Sequence, residues 1–219
     1  MTSSGSISVP RYSRGHELAN RLTHGVSVAL SIAGLAVLVS LAARRGNAWH
    51  VVSCGIYGAT LIALFLASTL YHSFTNPRVK RVLRVMDHAS IYLLIAGSYT
   101  PFLLVNLRGP WGWSLFGIVW GLAVIGIVLK VFFTGRFRYA STAIYLAMGW
   151  MIVIAIRPLA RAVPTGGMML LLTGGVLYTG GAVLYLFKRL PYHHAIWHLF
   201  VLAAAVAQYF AVMFYVVPR

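Results

Sequence analysis

Long apolar runs separated by short polar stretches set the pattern of this chain. Seven runs can cross about 30 Å of hydrocarbon as helices, at roughly 24–43, 50–72, 84–106, 111–133, 139–157, 167–187 and 193–217. The expected fold is an all-α membrane protein, a seven-transmembrane-helix bundle over residues 14–219. The Ser/Gly-rich residues 1–13 read as a poorly ordered tail. The first run is too long and too late for a signal peptide, so it is read as a retained helix.

Composition sharpens the class. Hydrophobic residues make up 60% of the 219 and charged residues only 9%, a balance outside that of soluble domains. Eighteen Lys and Arg face only two acids, a formal charge of +16. On a soluble chain that excess would point to nucleic acid; here the basic residues sit in short loops and no nucleic-acid module is present. The N-terminal segment and the second, fourth and sixth loops hold twelve of them, the other side six. The positive-inside rule then puts the N-terminus in the cytoplasm and the C-terminus outside. Short loops and strong basicity suit a multi-pass protein of a bacterial inner membrane. Cys54, the single cysteine, reads as a small buried residue of the second span.

Against this apolar background a few polar residues stand out. His194 and His198 are four apart at the head of the last run, about 6 Å along one helix face. Ser68 and His72 repeat that spacing at the end of the second run. Asp87, one of the two acids, lies near the start of the third. With the orientation above, all three groups fall at one depth on the cytoplasmic side, where ionisable residues inside a span point to function. If the spans are neighbours, His72, His194 and His198 offer three nitrogens with an open fourth position, the arrangement of a catalytic zinc site. Ahead of the first run, Glu17, Asn20, Thr23 and His24 recur near one helical stripe. Two readings of Glu17 stay open: a surface pair with Arg14 or Arg21, or a part of the site.

Other features read as packing. Pro101 should kink the third span, with neighbouring helices, Ser98 or Thr100 satisfying the freed carbonyl. The glycine pairs 166/167, 174/175 and 180/181 should allow close helix approach in the sixth. Trp49, Trp111 and Trp113 fit an aromatic belt at the outer face.

Taken together, Glu17-x-x-Asn20-x-x-Thr23-His24, Ser68-x-x-x-His72, Asp87, Gly97-Ser98-Tyr99-Thr100-Pro101-Phe102 and His194-x-x-x-His198 resemble the haemolysin III branch of the progestin and adipoQ receptor family, over about residues 14–217. The resemblance implies a seven-helix bundle with a cytoplasmic N-terminus and a zinc ion on His72, His194 and His198. In the wider superfamily, which includes alkaline ceramidases, an aspartate and a serine accompany the water of the metal site; these correspond to Asp87 and Ser68. His88 and His193 adjoin the motifs without matching ligand positions.

The leading functional expectation is a zinc-dependent hydrolase of a lipid amide or ester, with Asp87 and Ser68 catalytic, acting in membrane lipid homeostasis with membrane lipids as its partners. The alternative is a receptor-like regulator of membrane lipid state with a structural zinc. A pore-forming haemolysin ranks third, because a pore needs polar residues through the whole bilayer and here they gather at one end. A retinal protein is disfavoured: residues 193–217 hold no lysine for a Schiff base.

Overall fold

The computed structural model describes residues 13–187 and 190–218. The expected tail over residues 1–13 lies outside the described residues except for Ser13, and so do Lys188 and Arg189 of the sixth loop.

Among the described residues, seven helical spans are long and apolar enough to cross a membrane. They are α1 (Arg14–Arg45), α2 (Ala48–Ser73), α3 (Pro77–Pro101), α4 (Pro110–Phe133), the pair α5 (Arg138–Gly149) and α6 (Ile156–Ala162) forming the fifth span, α7 (Thr165–Leu186) and α8 (His193–Tyr215). The spans thus agree in number with the hydrophobic runs, but two start earlier. α1 begins at Arg14 rather than near residue 24, because Ser13 caps it and its polar first turns still have a buried face. α3 begins at Pro77 rather than 84, where Asn76 accepts from the backbone N–H groups of Arg78 and Val79 and Pro77 fills the first turn. Hydropathy cannot see a helix that runs on past its apolar stretch; capping residues mark it.

Two spans are irregular. After Pro101, residues Phe102–Asn106 form a π-helical turn, closed by the Leu107 N–H donating to the Phe102 carbonyl at 2.8 Å. The expected disturbance at Pro101 is therefore a widened turn. The Ser98 and Thr100 hydroxyls donate to the carbonyls of Ile95 and Ala96, not to that of Gly97, four residues before the proline. The fifth span breaks at Gly149–Trp150 into a 3-10 stretch, Met151–Ala155. The Tyr99 hydroxyl shares its hydrogen between the carbonyls of Met148 and Gly149, at 2.8 and 2.7 Å, and accepts from the Ile152 N–H at 3.0 Å. A helix can break at membrane depth only where such partners are supplied.

Consecutive spans lie side by side through α1, α2, α3 and α4, α7 lies along α8, and α1 closes against α8; α5 touches α3 and α7 at few points. Without water to drive helices together in lipid, close approach needs small residues. On α7 the buried positions are Gly167, Gly174 and Gly181, one every seven residues. A Cβ at Gly181 would come within 2.8 Å of the Phe200 Cβ of α8, so only glycine lets the two backbones approach this closely. At the end holding the α1–α2 loop, Trp49 and Trp113 meet edge to face at 5.7 Å, with Arg108 5.1 Å over Trp49. The other end is quite different.

Candidate metal centre

At that end two helices deliver three histidines to one point. His72 comes from the last turn of α2, and His194 and His198 from the first turns of α8. All three are buried, and their ligand atoms lie within 4.8 Å of one another. The spacing read from sequence puts His194 and His198 on one helix face; the bundle adds His72 to them. His72 Nε2 and His194 Nε2 are 3.2 Å apart. Two metal–nitrogen bonds of zinc length at a tetrahedral angle separate their nitrogens by about 3.3 Å, so this pair already has the spacing of two ligands on one ion.

The polar stripe of α1 holds the rings from behind. Glu17 Oε2 lies 2.6 Å from His72 Nδ1. A carboxylate accepts, so His72 carries its proton on Nδ1 and turns the Nε2 lone pair toward His194. Lys80 of α3 pairs with the other oxygen of Glu17. The Asn20 amide nitrogen is 3.4 Å from His72 Nδ1. Thr23 Oγ1 has the carbonyls of Ala19 and Asn20, both at 2.9 Å, for its hydrogen. Its lone pairs are therefore free to accept from His198 Nδ1 at 3.1 Å. The Nε2 of His198 is then the unprotonated nitrogen, and it is buried with no hydrogen-bond partner. A buried acceptor left unpaired costs about 1–3 kcal/mol; a cation supplies the partner it lacks. His24 stacks on His198, ring centroids 3.5 Å apart and planes 14° from parallel, and fixes the tilt of that ring.

Glu17 is thus not paired with Arg14 or Arg21; its partners are His72 and Lys80. Sequence reasoning does not find Lys80, because it lies outside the apolar run that begins near residue 84. Because α3 starts seven residues early, Lys80, Arg84 and Asp87 fall at i, i+4 and i+7 on one face, and all are buried. The cap at Asn76 was the available sign.

Asp87 pairs with His88, Nδ1 to Oδ2 at 3.1 Å. Ser68 is one turn before His72. Ser27, Ser31, Thr69 and Ser73 each donate to the carbonyl four residues back. The buried Ser68 hydroxyl does not, and finds no hydrogen-bond partner. Asp87, His194, His24 and His193 line one cavity of about 700 Å³, which continues between α3, α5, α7 and α8 past Tyr99, Trp150 and Tyr178. Such a volume holds a drug-sized molecule or a lipid chain.

Fold and site together define a class, a polytopic helical membrane protein with a buried three-histidine group that could hold a metal ion, at one end of a seven-helix bundle. The chain belongs to the haemolysin-III-related family, whose model matches residues 12–209. It is 50% identical over 202 residues to Hemolysin-3 of Bacillus cereus, covering 92% of each chain. To the Hemolysin-3 homolog of Bacillus subtilis (strain 168) it is 49% identical over 201 residues, 92% of this chain and 94% of the relative. A more distant similarity, 30% over 203 residues, covers 90% of this chain and 83% of the Monocyte to macrophage differentiation factor of Homo sapiens. No solved structure matches. The family resemblance read from the motifs is borne out.

Proposed function

We propose that this protein is a zinc-dependent hydrolase of a lipid amide or ester, with its site near the cytoplasmic face of the cell membrane. The observation that carries the reading is the set of three buried histidines, two of which, His72 and His198, have their Nδ1 atoms held by Glu17 and Thr23 so that Nε2 is left to face the group. Three imidazoles suit zinc among the divalent ions. They also leave a position open, as catalytic zinc sites do. Bound there, zinc would supply Lewis-acid polarisation of an acyl carbonyl and acidify a water.

The chain's own residues then divide the work. Glu17 and Thr23 orient the ligand rings and raise their basicity through Nδ1, the usual task of groups behind metal-bound histidines. Asp87 accepts the proton of the attacking water at its carboxylate and returns it to the leaving amine or alkoxide. His88 Nδ1 stands 3.1 Å from Asp87 Oδ2, within ion-pair reach of the carboxylate. The Ser68 hydroxyl, which has no backbone acceptor to satisfy, donates to the oxygen where negative charge develops. The apolar stretch of the cavity between Leu94, Leu146 and Val201 takes an acyl chain out of the bilayer without exposing it to water.

The test is elemental analysis of detergent-purified protein beside His72→Ala, followed by incubation with lipid amides and esters. One zinc per chain, lost in the variant, with turnover only in the metal-loaded protein, is the expected outcome. Absence of metal after purification without chelator removes the metal site. Stoichiometric metal without turnover leaves the receptor-like regulator with a structural zinc.

A further inference from the structure

The cavity that His194 and Asp87 line has a strongly charged mouth. Arg84, Lys130, Arg136 and Arg138 line it at the end nearest the histidines. Lys130 and Arg84 are buried, so their charge faces the cavity and does not lie among lipid headgroups outside. The protein has only two acids. Glu17 is engaged by His72 and Lys80, and Asp87 by His88. Among the described residues, neutral groups hold two of the mouth's cations. Lys130 donates to Ser141 Oγ at 2.6 Å and lies 5.6 Å over the Tyr145 ring. Arg138 lies 4.9 Å over Tyr139 and 6.0 Å over Tyr185. Gly135, at φ +89°, folds the α4–α5 turn against Arg84: a Cβ there would be 2.9 Å from Nη1. A hydroxyl and aromatic faces position Lys130 and Arg138 without neutralising them, and cations held in this way attract a compact anion strongly.

Depth adds the second half. Fourteen residues of α3 separate Arg84 from Ser98 at the far end of the cavity, about 21 Å. That exceeds the half-thickness of the hydrocarbon core, about 15 Å. Beyond the mouth the walls are mainly apolar and aromatic, with Ile91, Leu94, Leu146, Trp150 and Val201 among them. Arg84 precedes Asp87 by three residues, about 4.5 Å along the axis.

We propose that the cavity binds a lipid bearing a phosphate headgroup, with the phosphate on Lys130, Arg136 and Arg138 at the level of Arg84 and an acyl chain along α3 and α5. This rests on the hydrolase reading for its chemistry and names the substrate class. A phosphate held at the mouth sets the first acyl ester of the same lipid about one turn deeper, at the level of Asp87. The guanidinium forks of Arg136 and Arg138 match phosphate oxygens in pairs, which favours phosphate over a carboxylate.

Native mass spectrometry of the detergent-purified full chain, mixed with equal dioleoyl phosphatidate and dioleoyl phosphatidylcholine, tests this directly. Phosphatidate is expected to be retained at least tenfold over phosphatidylcholine. The preference should collapse in Arg136→Gln/Arg138→Gln, whose positions lie at the surface turn and should not disturb folding, and in Lys130→Gln. It should survive in His72→Ala, which separates headgroup binding from the metal and its chemistry. Equal retention of the two lipids overturns the proposal, as does a preference that persists in both mouth variants. Inorganic phosphate, run as a separate arm, should displace phosphatidate only weakly; full displacement at equal concentration would mean that the mouth takes free phosphate and the chain contributes nothing.

Discussion

The bundle has a wedge and a wall. In α2 and α3, 56% and 61% of the most apolar stretch is buried inside the protein, whereas in the fifth span and α7 the shares are 17% and 11%. The wedge carries His72, Ser68 and Asp87; the proposed hydrolysis requires them to be held within a fraction of an ångström. The wall carries Trp150, Thr179, Tyr178 and Tyr185, which line the cavity and need only exclude water and give room. The proposed lipid substrate would need both, rigid groups on one side and loosely packed helices on the other, and the sparse contacts of α5 with α3 and α7 fit that need.

The contrast is broken most sharply by substitutions that alter chemistry without altering shape. Asp87→Asn in the wedge should keep the metal and lower turnover by about 10²–10⁴-fold, the usual worth of a general base. In the wall, Trp150→Phe removes one hydrogen bond, from Nε1 to Thr179 Oγ1 at 3.0 Å, and should cost no more than about tenfold. Initial rates on one lipid substrate compare the two; equal losses would erase the distinction. Next in size is Glu17→Gln. It retains the hydrogen-bonding shape but removes the charge from behind His72, and should weaken metal binding by about 10–100-fold in competition with a chelator. Unchanged affinity would reduce Glu17 to an anchor for Lys80.

The smallest effects concern packing alone. At Gly97, between α2 and α3, an added Cβ would sit 2.0 Å from Thr60 Oγ1, while at Gly180 of α7 the nearest atom, Phe200 Cε1, is 3.4 Å away. Gly97→Ala should therefore lose about 1–3 kcal/mol of stability. Gly180→Ala should gain up to about 1 kcal/mol from helix propensity. Thermal unfolding in detergent measures both, and a similar Tm shift in the two would show that the wall is as tightly packed as the wedge.

Much of the site was legible in residue spacing, and the reason is geometric. Residues four apart share a helix face whatever the helix packs against, so Ser68 with His72 and His194 with His198 could be paired from the chain alone. The same rule put Glu17, Asn20 and Thr23 on one stripe. It could not say what that stripe faced, and the nearer arginines were as plausible for Glu17 as a histidine fifty-five residues on. Lys80 falls outside the run that begins near residue 84 because hydropathy registers where apolar character ends, not where the helix does, while Lys130 falls inside the run 111–133 with nothing in its spacing to show which way it faces. The structure buries both.

What the sequence by itself determined was the number of spans, the kinks and close approaches marked by Pro101 and the α7 glycines, and the family, because each follows from local composition or short-range periodicity. Only the tertiary structure decided that α2 and α8 are neighbours at their histidines, that α1 fixes the proton on two of those rings, and that α5 stands off far enough to leave a cavity. These are relations between helices distant in sequence. They are set by which side chains and small residues fit across each interface, and no spacing within a single helix encodes them.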